Sequence, residues 1–315
     1  MTEEMNNNAQ DLLAELADCR VCPRECRVDR FAGREGFCET GADFAIASIC
    51  VHHGEEPALS GKTGICNLFF AGCNLRCVYC QNYQISYPPA VTDHSLSTPG
   101  TIVDRIERLL DGGAKGVGFV SPSHMIPQMQ AIMAEIRGRG LKPTFVFNTN
   151  AYDQVETIRS LEGVIDVYLP DLKYVDESLG CRLSQGPGYP STAKAAIREM
   201  FRQKGSSLWT DDDGVAESGL IIRHLVLPGQ VENSKGVLRW IAEELSPSVH
   251  ISLMAQYHPT PSVYGHPEMG RTLKAEEYEE VVDEFNRLGF YRGWVQELDS
   301  PGNYRPDFDK SHPFE

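Results

Sequence analysis

Three cysteines stand within eight residues of the segment CNLRCVYCQN, at Cys73, Cys77 and Cys80, with the spacing C-x3-C-x2-C. A structural zinc site takes four protein ligands, and a 4Fe-4S cluster is normally held by four cysteines. A remote cysteine or histidine would complete the zinc site, and Cys66 or Cys181 would complete an electron-transfer cluster. Three thiolates without a fourth ligand would leave one iron of a cluster open to a small molecule. Because a 4Fe-4S cluster is compact, a tight loop can supply three sulfurs to one of its faces.

A second group of cysteines lies in CRVCPRECRVDRFAGREGFC, with the spacing C-x2-C-x3-C-x11-C at Cys19, Cys22, Cys26 and Cys38. Four thiolates can close a tetrahedral site, so this segment is predicted to bind a metal, either zinc or an iron–sulfur cluster or mononuclear iron. The reading without metal stays open. Bound metal would supply folding free energy that about 20 loop-like residues could hardly obtain from an apolar core.

The order of apolar and amphipathic stretches along the chain predicts the strands and helices that position these thiols. From Cys66 onward, short apolar runs alternate with amphipathic stretches, which is typical of repeated βα units on a parallel sheet. Six such units predict an α/β fold, a partial (β/α)6 TIM-type barrel preceded by the N-terminal cysteine-rich metal-binding segment. The predicted domains are 1–60 for a helix and the cysteine-rich segment, 61–300 for the barrel and 301–315 for a C-terminal tail.

The predicted strands and helices are read from apolar periodicity. The strands are 66–70, 116–120, 144–148, 165–169, 220–227 and 250–255, with an edge strand within 291–298. The helices are 9–19, 100–111, 125–138, 152–161, 190–204, 232–245 and 275–288. Thr101 is the expected cap of the helix that follows the first strand. Asp213-Gly214 predicts an exposed hairpin within 205–219.

Polar side chains follow the apolar runs, where the active site of such a barrel lies. The carboxyl ends of parallel strands meet at one rim, so we expect these residues to converge there. They are Ser121, Ser123 and His124; Asn148, Thr149 and Asn150; Asp171 and Lys173; Arg223 and His224; and Gln256, Tyr257 and His258. The cysteine loop follows the first run and belongs to the same rim.

Composition excludes some classes of function. The net charge of −15 argues against nucleic acid as a partner, because such binding needs a cationic face. The sequence has no long apolar run, so no membrane span is expected. Its N-terminus is acidic, so no export signal is expected. Ten cysteines then indicate a reducing compartment, and the predicted location is the cytoplasm. Cys50 and Cys181 are expected to be buried thiols rather than metal ligands.

The motif C-x3-C-x-φ-C, with Tyr79 as the aromatic φ, at the end of the first barrel strand resembles the radical S-adenosylmethionine (radical SAM) enzymes. The resemblance implies a 4Fe-4S cluster on Cys73, Cys77 and Cys80, whose unique iron chelates S-adenosylmethionine. One electron then cleaves the sulfonium, and the 5′-deoxyadenosyl radical abstracts hydrogen from a substrate. It also implies that Tyr79 packs near the adenine.

The chain further resembles, over about residues 15–300, the glycyl-radical-enzyme activases of the pyruvate formate-lyase activating type. The shared stretches are GICNLFFAGCNLRCVYCQN, DLKY, IIRHLVLPG and MAQYHP. The resemblance implies that Lys173 lies near the cofactor carboxylate, Asp171 near a monovalent-cation site and His258 near the ribose, and that Arg223 also contacts the cofactor. A lysine or arginine suits a carboxylate, and an imidazole suits a hydroxyl.

Two segments depart from the activase pattern. SPSH at 121–124 stands where activases carry a Gly-Gly-Glu-type segment, so Ser121 and Ser123 are the candidates to contact the cofactor's amino group. Asn148 stands where activases have aspartate. It remains a cofactor-binding candidate, but the sequence does not establish a monovalent-cation site.

The first hypothesis for function is hydrogen abstraction from a protein or peptide, as in the activases. Its expected partners are a one-electron donor of the flavodoxin or ferredoxin type and a protein substrate such as a glycyl radical enzyme. The alternatives are a radical SAM enzyme acting on a small metabolite and a non-catalytic iron–sulfur electron-transfer protein.

Overall fold

The computed structural model describes residues 12–298, 305–310 and 312–314. Its strands are β1 (Ile46–His52), β2 (Ile65–Phe70), β3 (Gly116–Val120), β4 (Thr144–Thr149), β5 (Val167–Pro170), β6 (Trp209–Thr210), β7 (Ala216–Leu225), β8 (His250–Met254) and β9 (Gly293–Val295). The helices are α1 (Pro57–Ser60), α2 (Tyr83–Ser86), α3 (Pro99–Asp111), α4 (Ile126–Gly138), α5 (Val155–Ser160), α6 (Glu177–Ser184), α7 (Tyr189–Lys204), α8 (Val231–Glu244) and α9 (Ala275–Arg287). Short 3₁₀ turns cover Ala14–Asp18, Pro122–His124 and Pro261–Val263.

The sheet has the order β1-β2-β3-β4-β5-β7-β8-β9, and β6 pairs with β7 alone. Neighbours from β2 to β9 along this path are parallel, whereas β1 is antiparallel to β2 and β6 to β7. Among the described residues no ladder joins β1 to β9. The predicted partial barrel, a parallel α/β sheet not closed by hydrogen bonds, is therefore confirmed.

The predicted strands, and the predicted helices from residue 100 onward, all have counterparts in the structure in the predicted order. Residues 116–120 match β3 at both ends, and most other ends differ by one to three residues. The hairpin is confirmed, because β6 and β7 flank a turn in which the Gly214 amide donates to the Asp211 carbonyl oxygen at 3.0 Å. The edge strand is confirmed as the shorter β9.

Other local predictions were wrong. Strand β7 begins at Ala216, four residues before the predicted start, and ends two residues early. The cap of α3 is Thr98, whose hydroxyl accepts from the Thr101 amide, while Thr101 reciprocates from the first turn. The predicted helix 9–19 is helical over residues 12–18, but residues 14–18 are 3₁₀ rather than α-helical, and residues 9–11 lie outside the described residues. Strand β1 and helix α6 were not predicted.

The main core lies between the sheet and its surrounding helices. A smaller cluster inside the barrel brings Ala58 and Leu59 of α1 against Ile65, Val146 and other strand residues. Helix α1 therefore belongs to a connection, residues 53–64, that enters the barrel between β1 and β2. This placement brings the acidic residues before α1 into the barrel interior.

Gly118 shows how crowded that interior is. A Cβ built on it would lie 2.1 Å from the side-chain oxygen of Asn67 on the neighbouring strand β2. Asn67 in turn donates to Glu55 at 2.9 Å, so its side chain cannot easily move away. A residue without a side chain at position 118 leaves room for the polar contact that holds the connection inside the barrel.

The C-terminal segment packs against the open side of the barrel. Phe308 and Phe314 contact Phe69, with ring centroids 5.3 and 5.7 Å apart. Phe314 also lies against the imidazole of His52, with the centroids 4.0 Å apart. The segment therefore contributes to the wall of the barrel interior.

Within the described part of the chain, every helix is too short or too polar to cross a lipid bilayer.

Candidate active site

The cysteine loop follows β2 and is clamped from both sides. Arg76 donates through Nη1 to the Cys73 carbonyl oxygen at 3.0 Å and through Nη2 to the Phe37 carbonyl oxygen at 2.7 Å. The amides of Arg76 and Val78 donate to the carbonyl oxygens of Ser184 and Leu183 at 2.9 Å each. The unpredicted helix α6 therefore fixes the loop through its last turn.

The three thiols of the loop have the chemistry of metal ligands. Burial raises the pKa of Cys73 to about 11 and of Cys80 to about 12, and it raises that of Cys77 as well. Such thiols are poor nucleophiles on their own, but a bound metal deprotonates a coordinating thiol outright. Among the described residues, no three histidine, cysteine or acidic side chains are gathered as a ready-made metal group. The fit to a cluster rests on donor type and position.

A polar side chain lies near each of the three sulfurs, and Ser86 Oγ lies 3.5 Å from Cys80 Sγ. Ser184 Oγ donates to Cys77 Sγ at 3.0 Å, and Asn150 Nδ2 lies 3.6 Å from Cys73 Sγ. Such donors steady a sulfur ligand and tune a cluster. Asn150 also donates to Asn74 Oδ1 at 2.8 Å, so the end of β4 is tied directly to the cysteine loop.

Tyr79, the aromatic residue of the motif, is buried and belongs to a hydrogen-bond chain. Its hydroxyl lies 2.6 Å from that of Tyr174, which lies 2.7 Å from Ser184 Oγ. Since Ser184 donates to Cys77, the chain runs from the motif tyrosine to a motif sulfur. The ring of Tyr79 lies 6.3 Å from that of Tyr257.

The predicted residues Asp171, Lys173, Asn148 and Arg223 lie together inside the rim. Arg223 donates through Nε to Asp171 Oδ1 at 2.8 Å and through Nη2 to Asn148 Oδ1 at 2.6 Å. Lys173 Nζ donates to Asp171 Oδ2 at 2.7 Å. Burial alone would raise the pKa of Asp171, but Arg223 and Lys173 more than offset it and hold that pKa below its ordinary value. Burial likewise opposes the charge of Lys173, yet Asp171 keeps its pKa raised.

Sequence reasoning missed two members of this site, Glu55 and Glu56. Arg223 Nη1 donates to Glu55 Oε2 at 3.2 Å, and Asn148 Nδ2 lies 3.4 Å from Glu55 Oε1. A carboxylate therefore stands beside Asn148 after all, supplied from the connection that enters the barrel. The only signal in the sequence was GEEP at 54–57, which reads as a polar loop.

Some of the other predicted rim residues lie at the rim, and others are buried beneath it. Ser123 Oγ lies 3.1 Å from Thr149 Oγ1, which donates to Asp153, and all three residues are buried. Ser121 has a left-handed backbone conformation with φ of 52°. His258 is half-buried at the rim, its Nδ1 has no partner, and burial lowers its pKa.

The histidines His124 and His224 are packed away from the rim. Nε2 of His124 lies 2.9 Å from the Ala71 carbonyl oxygen. Both ring nitrogens of His224 are engaged, by the Leu172 carbonyl oxygen at 2.7 Å and by Ser234 Oγ at 2.9 Å. Burial lowers the pKa of each to about 4, so both are neutral supports.

A cavity of about 320 Å³ continues from the cysteine loop into the barrel. Gln81 and Asn82, which directly follow Cys80, line one part of it. Its other walls are formed by residues of the entering connection, the strands and the C-terminal segment, including His52, Glu55, Glu56, Phe69, Asn148, Arg223, Ser252, Met254, Trp294 and Phe314. A molecule in this cavity would therefore lie beside the cysteine loop.

The N-terminal cysteines Cys19, Cys22, Cys26 and Cys38 line one small space. Burial, and the nearness of the other three sulfurs, raise the pKa of Cys22 to about 12. A Cβ on Gly36 would lie 2.7 Å from Cys26 Sγ, so the loop closes tightly on this sulfur. The donor set is all thiol, as in structural zinc and iron–sulfur sites.

This N-terminal segment packs directly on the cysteine loop. Arg24 Nε donates to the Asn74 carbonyl oxygen at 2.9 Å, and its guanidinium lies 3.5 Å from the ring centroid of Phe37. Gly72 has a φ of 77°, and a Cβ there would meet the Cys38 carbonyl oxygen at 2.5 Å. The two cysteine groups are therefore neighbours in the fold.

The single cysteines fall outside both groups. Cys50 is buried, as expected, and Cys66 is buried on β2. Cys181 was expected to be buried, but it is exposed on α6, and its thiol lies 3.7 Å from Glu177 Oε1.

Comparison with known proteins identifies the family of this chain. The chain is 29% identical to the uncharacterized protein MJ0674 of Methanocaldococcus jannaschii over 89% of its own length and 79% of that protein. It is 22% identical to the pyruvate formate-lyase-activating enzyme of Staphylococcus aureus, over 55% of this chain and 65% of that one. The solved structure of native anSMEcpe with bound AdoMet aligns with a TM-score of 0.46 at 13% identity, over 74% and 58% of the two chains. The family model of the Radical SAM superfamily matches residues 67–241. This chain belongs to the radical SAM superfamily.

Proposed function

We propose that this protein abstracts hydrogen from a protein or peptide substrate, in the manner of the activating enzymes. Members of its family are enzymes that use a 4Fe-4S cluster and S-adenosylmethionine. The observation that carries the proposal is the placement of a three-cysteine loop beside the Asp171–Lys173–Arg223 network at the carboxyl ends of the strands. Bound there, the two cofactors supply a 5′-deoxyadenosyl radical from one electron of a flavodoxin- or ferredoxin-type donor.

The residues of the chain have distinct tasks in this proposal. Cys73, Cys77 and Cys80 hold the cluster, and Ser184 donates to the second of these sulfurs. Lys173 supplies a cation for the cofactor carboxylate and is kept protonated by its aspartate partner. The buried surroundings exclude water, which strengthens these charge interactions.

The remaining candidates are proposed at the edge of the cofactor. Tyr79 packs beside the adenine, and His258 offers its unpartnered Nδ1 to the ribose. Ser121 contacts the amino group of the cofactor. Ser123, which is already paired with Thr149, supports Ser121. Arg223 on β7 and Asn148 on β4 are proposed to contact the cofactor from the barrel wall.

A small metabolite is the second candidate substrate. One observation favours it: the cavity of about 320 Å³, which Pro306 and Phe314 of the C-terminal segment help to line, lies at the lower end of the size range for small-molecule pockets. Transfer of deuterium from a labelled candidate substrate into 5′-deoxyadenosine separates a peptide from a small metabolite. Only the substrate from which hydrogen is abstracted donates its label.

The four N-terminal cysteines are proposed to hold a second metal. A metal bound by these four thiols would stabilise the N-terminal segment and, through it, the cysteine loop against which the segment packs. This reason holds for zinc as well as for an iron–sulfur cluster. Metal analysis of anaerobically purified protein is expected to show that Cys22→Ala loses the metal of this site and retains the iron of the other. Equal metal content in the variant and the wild type would contradict the assignment.

The function is tested by anaerobic reconstitution, reduction and mass spectrometry. Wild-type protein is expected to release methionine and 5′-deoxyadenosine, and Cys77→Ala to release neither. Cys181→Ala is the matched control, because that thiol is exposed and outside both groups. Intact S-adenosylmethionine after reduction of the reconstituted wild type would refute the proposal and favour an electron-transfer protein.

A further inference from the structure

The cavity beside the cysteine loop contains one acidic side chain that forms no ion pair with any other described residue. Three charged side chains line it, Glu55, Glu56 and Arg223. Arg223 already donates three of its five N–H groups, to Asp171, Glu55 and Asn148, and its charge is paired with Asp171 and Glu55. This leaves the lining of the cavity with one acid in excess, and the excess falls on Glu56.

Glu56 is built into the cavity wall rather than left on a mobile loop. Its carbonyl oxygen accepts from the amides of Leu59 and Ser60, at 2.7 and 3.0 Å, and so begins α1. The residue is 7% exposed, and its side-chain Oε2 has no hydrogen-bond partner in the part of the chain that the structure describes. A buried oxygen without a partner is costly, which favours a ligand that donates to it.

The rest of the cavity indicates what such a ligand looks like. Phe69, Met254, Trp294 and Phe314 offer an apolar wall next to the carboxylate. An aliphatic stem that ends in a protonated amine or guanidinium would pack along this wall and place its charge at Glu56. An anionic group would be matched less well, because Arg223, the cation among the described lining residues, is already paired with Asp171 and Glu55.

We infer that the cavity binds an alkylamine or alkylguanidinium group of the substrate, with Glu56 as its counterion. The inference rests on the proposed function, because the cavity is a substrate cavity only if hydrogen abstraction takes place at the cysteine loop. A lysine or arginine side chain of a peptide and a free diamine share this chemistry. The specificity it gives is for positive charge.

Binding of model compounds to the unreduced, reconstituted protein tests this without relying on turnover. The probes for calorimetry are Nα-acetyl-lysine-N-methylamide, its uncharged isostere Nα-acetyl-norleucine-N-methylamide, and 1,5-diaminopentane. We expect the lysine compound to bind at least tenfold more tightly than the norleucine compound. Equal affinity of the two would overturn the inference, and the diamine shows whether the peptide unit is also recognised.

The variant Glu56→Gln keeps the shape of the side chain and removes its charge. It is expected to lower the affinity for the lysine compound at least tenfold and to leave the norleucine compound within twofold. Glu279→Gln, on the exposed face of α9, is the matched control and should change neither. Unchanged lysine affinity in Glu56→Gln, or a loss confined to S-adenosylmethionine, would show that Glu56 does not serve the substrate.

A pH titration of the wild type provides a measurement that needs no variant. The charged or titratable groups that face Glu56 are Glu55, Arg223 and His52, and burial lowers the pKa of His52 to about 4. Burial raises the pKa of Glu56 to about 7, so affinity for the lysine compound should rise several-fold from pH 6 to pH 8. A pH-independent preference for the lysine compound would contradict the assignment to Glu56. Failure of wild-type protein to cleave S-adenosylmethionine would refute the proposed function separately, whatever binds.

Discussion

Replacing Glu56 by glutamine should make the folded protein more stable at alkaline pH. Burial raises the pKa of this carboxyl from 4.5 to about 7. Between these values the folded state keeps a proton that the unfolded state has released, so wild-type stability falls as pH rises through this window. Each pKa unit corresponds to about 1.4 kcal/mol, and the full difference amounts to about 3 kcal/mol above pH 7. Glutamine does not titrate and avoids this loss.

Anaerobic urea unfolding of wild type and Glu56→Gln at pH 5 and pH 8 measures the effect. The free energy of unfolding of the variant should gain about 2 to 3 kcal/mol on that of the wild type between the two pH values, from the same linkage relation. The exposed control Glu279→Gln should stay within about 0.5 kcal/mol of wild type at both. A difference between Glu56→Gln and wild type that does not change with pH would refute the reasoning, because it would mean that this carboxyl is not desolvated.

Two further substitutions test the supports of the site. Arg223→Met removes the shared partner of Asp171 and Glu55, whose side chains are 19% and 10% exposed, and should lower the free energy of unfolding by about 3 to 5 kcal/mol. Arg198→Met, whose ion pair with Glu244 is exposed, should cost under about 1 kcal/mol. Tyr174→Phe removes the middle of the hydrogen-bond chain and leaves the buried hydroxyl of Tyr79 without its partner, at a cost of about 1 to 3 kcal/mol in urea unfolding. Equal effects of the two arginine variants, or an unchanged Tyr174→Phe protein, would contradict these contacts.

Local pattern was enough to predict the barrel and the cysteine loop. Residues 116–120 form an apolar run between polar neighbours, and such a run specifies its own strand. The spacing of Cys73, Cys77 and Cys80 is likewise complete within eight residues. Parallel order then places the ends of successive strands at one rim, which is why Asp171 and Arg223 were found together.

Contacts between distant parts of the chain could not be predicted in this way. Glu55 and Arg223 are 168 residues apart, and nothing in GEEP shows that its acids turn into the barrel. His224 illustrates the limit of the rim argument, because successive strand residues face opposite sides. Arg223 points into the barrel, and its neighbour therefore points out toward Ser234 on α8. Helix α6 was missed because Gly180 and two serines interrupt its apolar pattern.

The central claim is that the loop of Cys73, Cys77 and Cys80 leaves one iron free for S-adenosylmethionine. Mössbauer spectra of ⁵⁷Fe-reconstituted protein, recorded with and without S-adenosylmethionine, test it most directly. The account predicts that one iron site per chain changes its isomer shift when the compound is added, and that Cys77→Ala abolishes the change. Spectra that are identical in both conditions, with every iron ligated by cysteine, would contradict it.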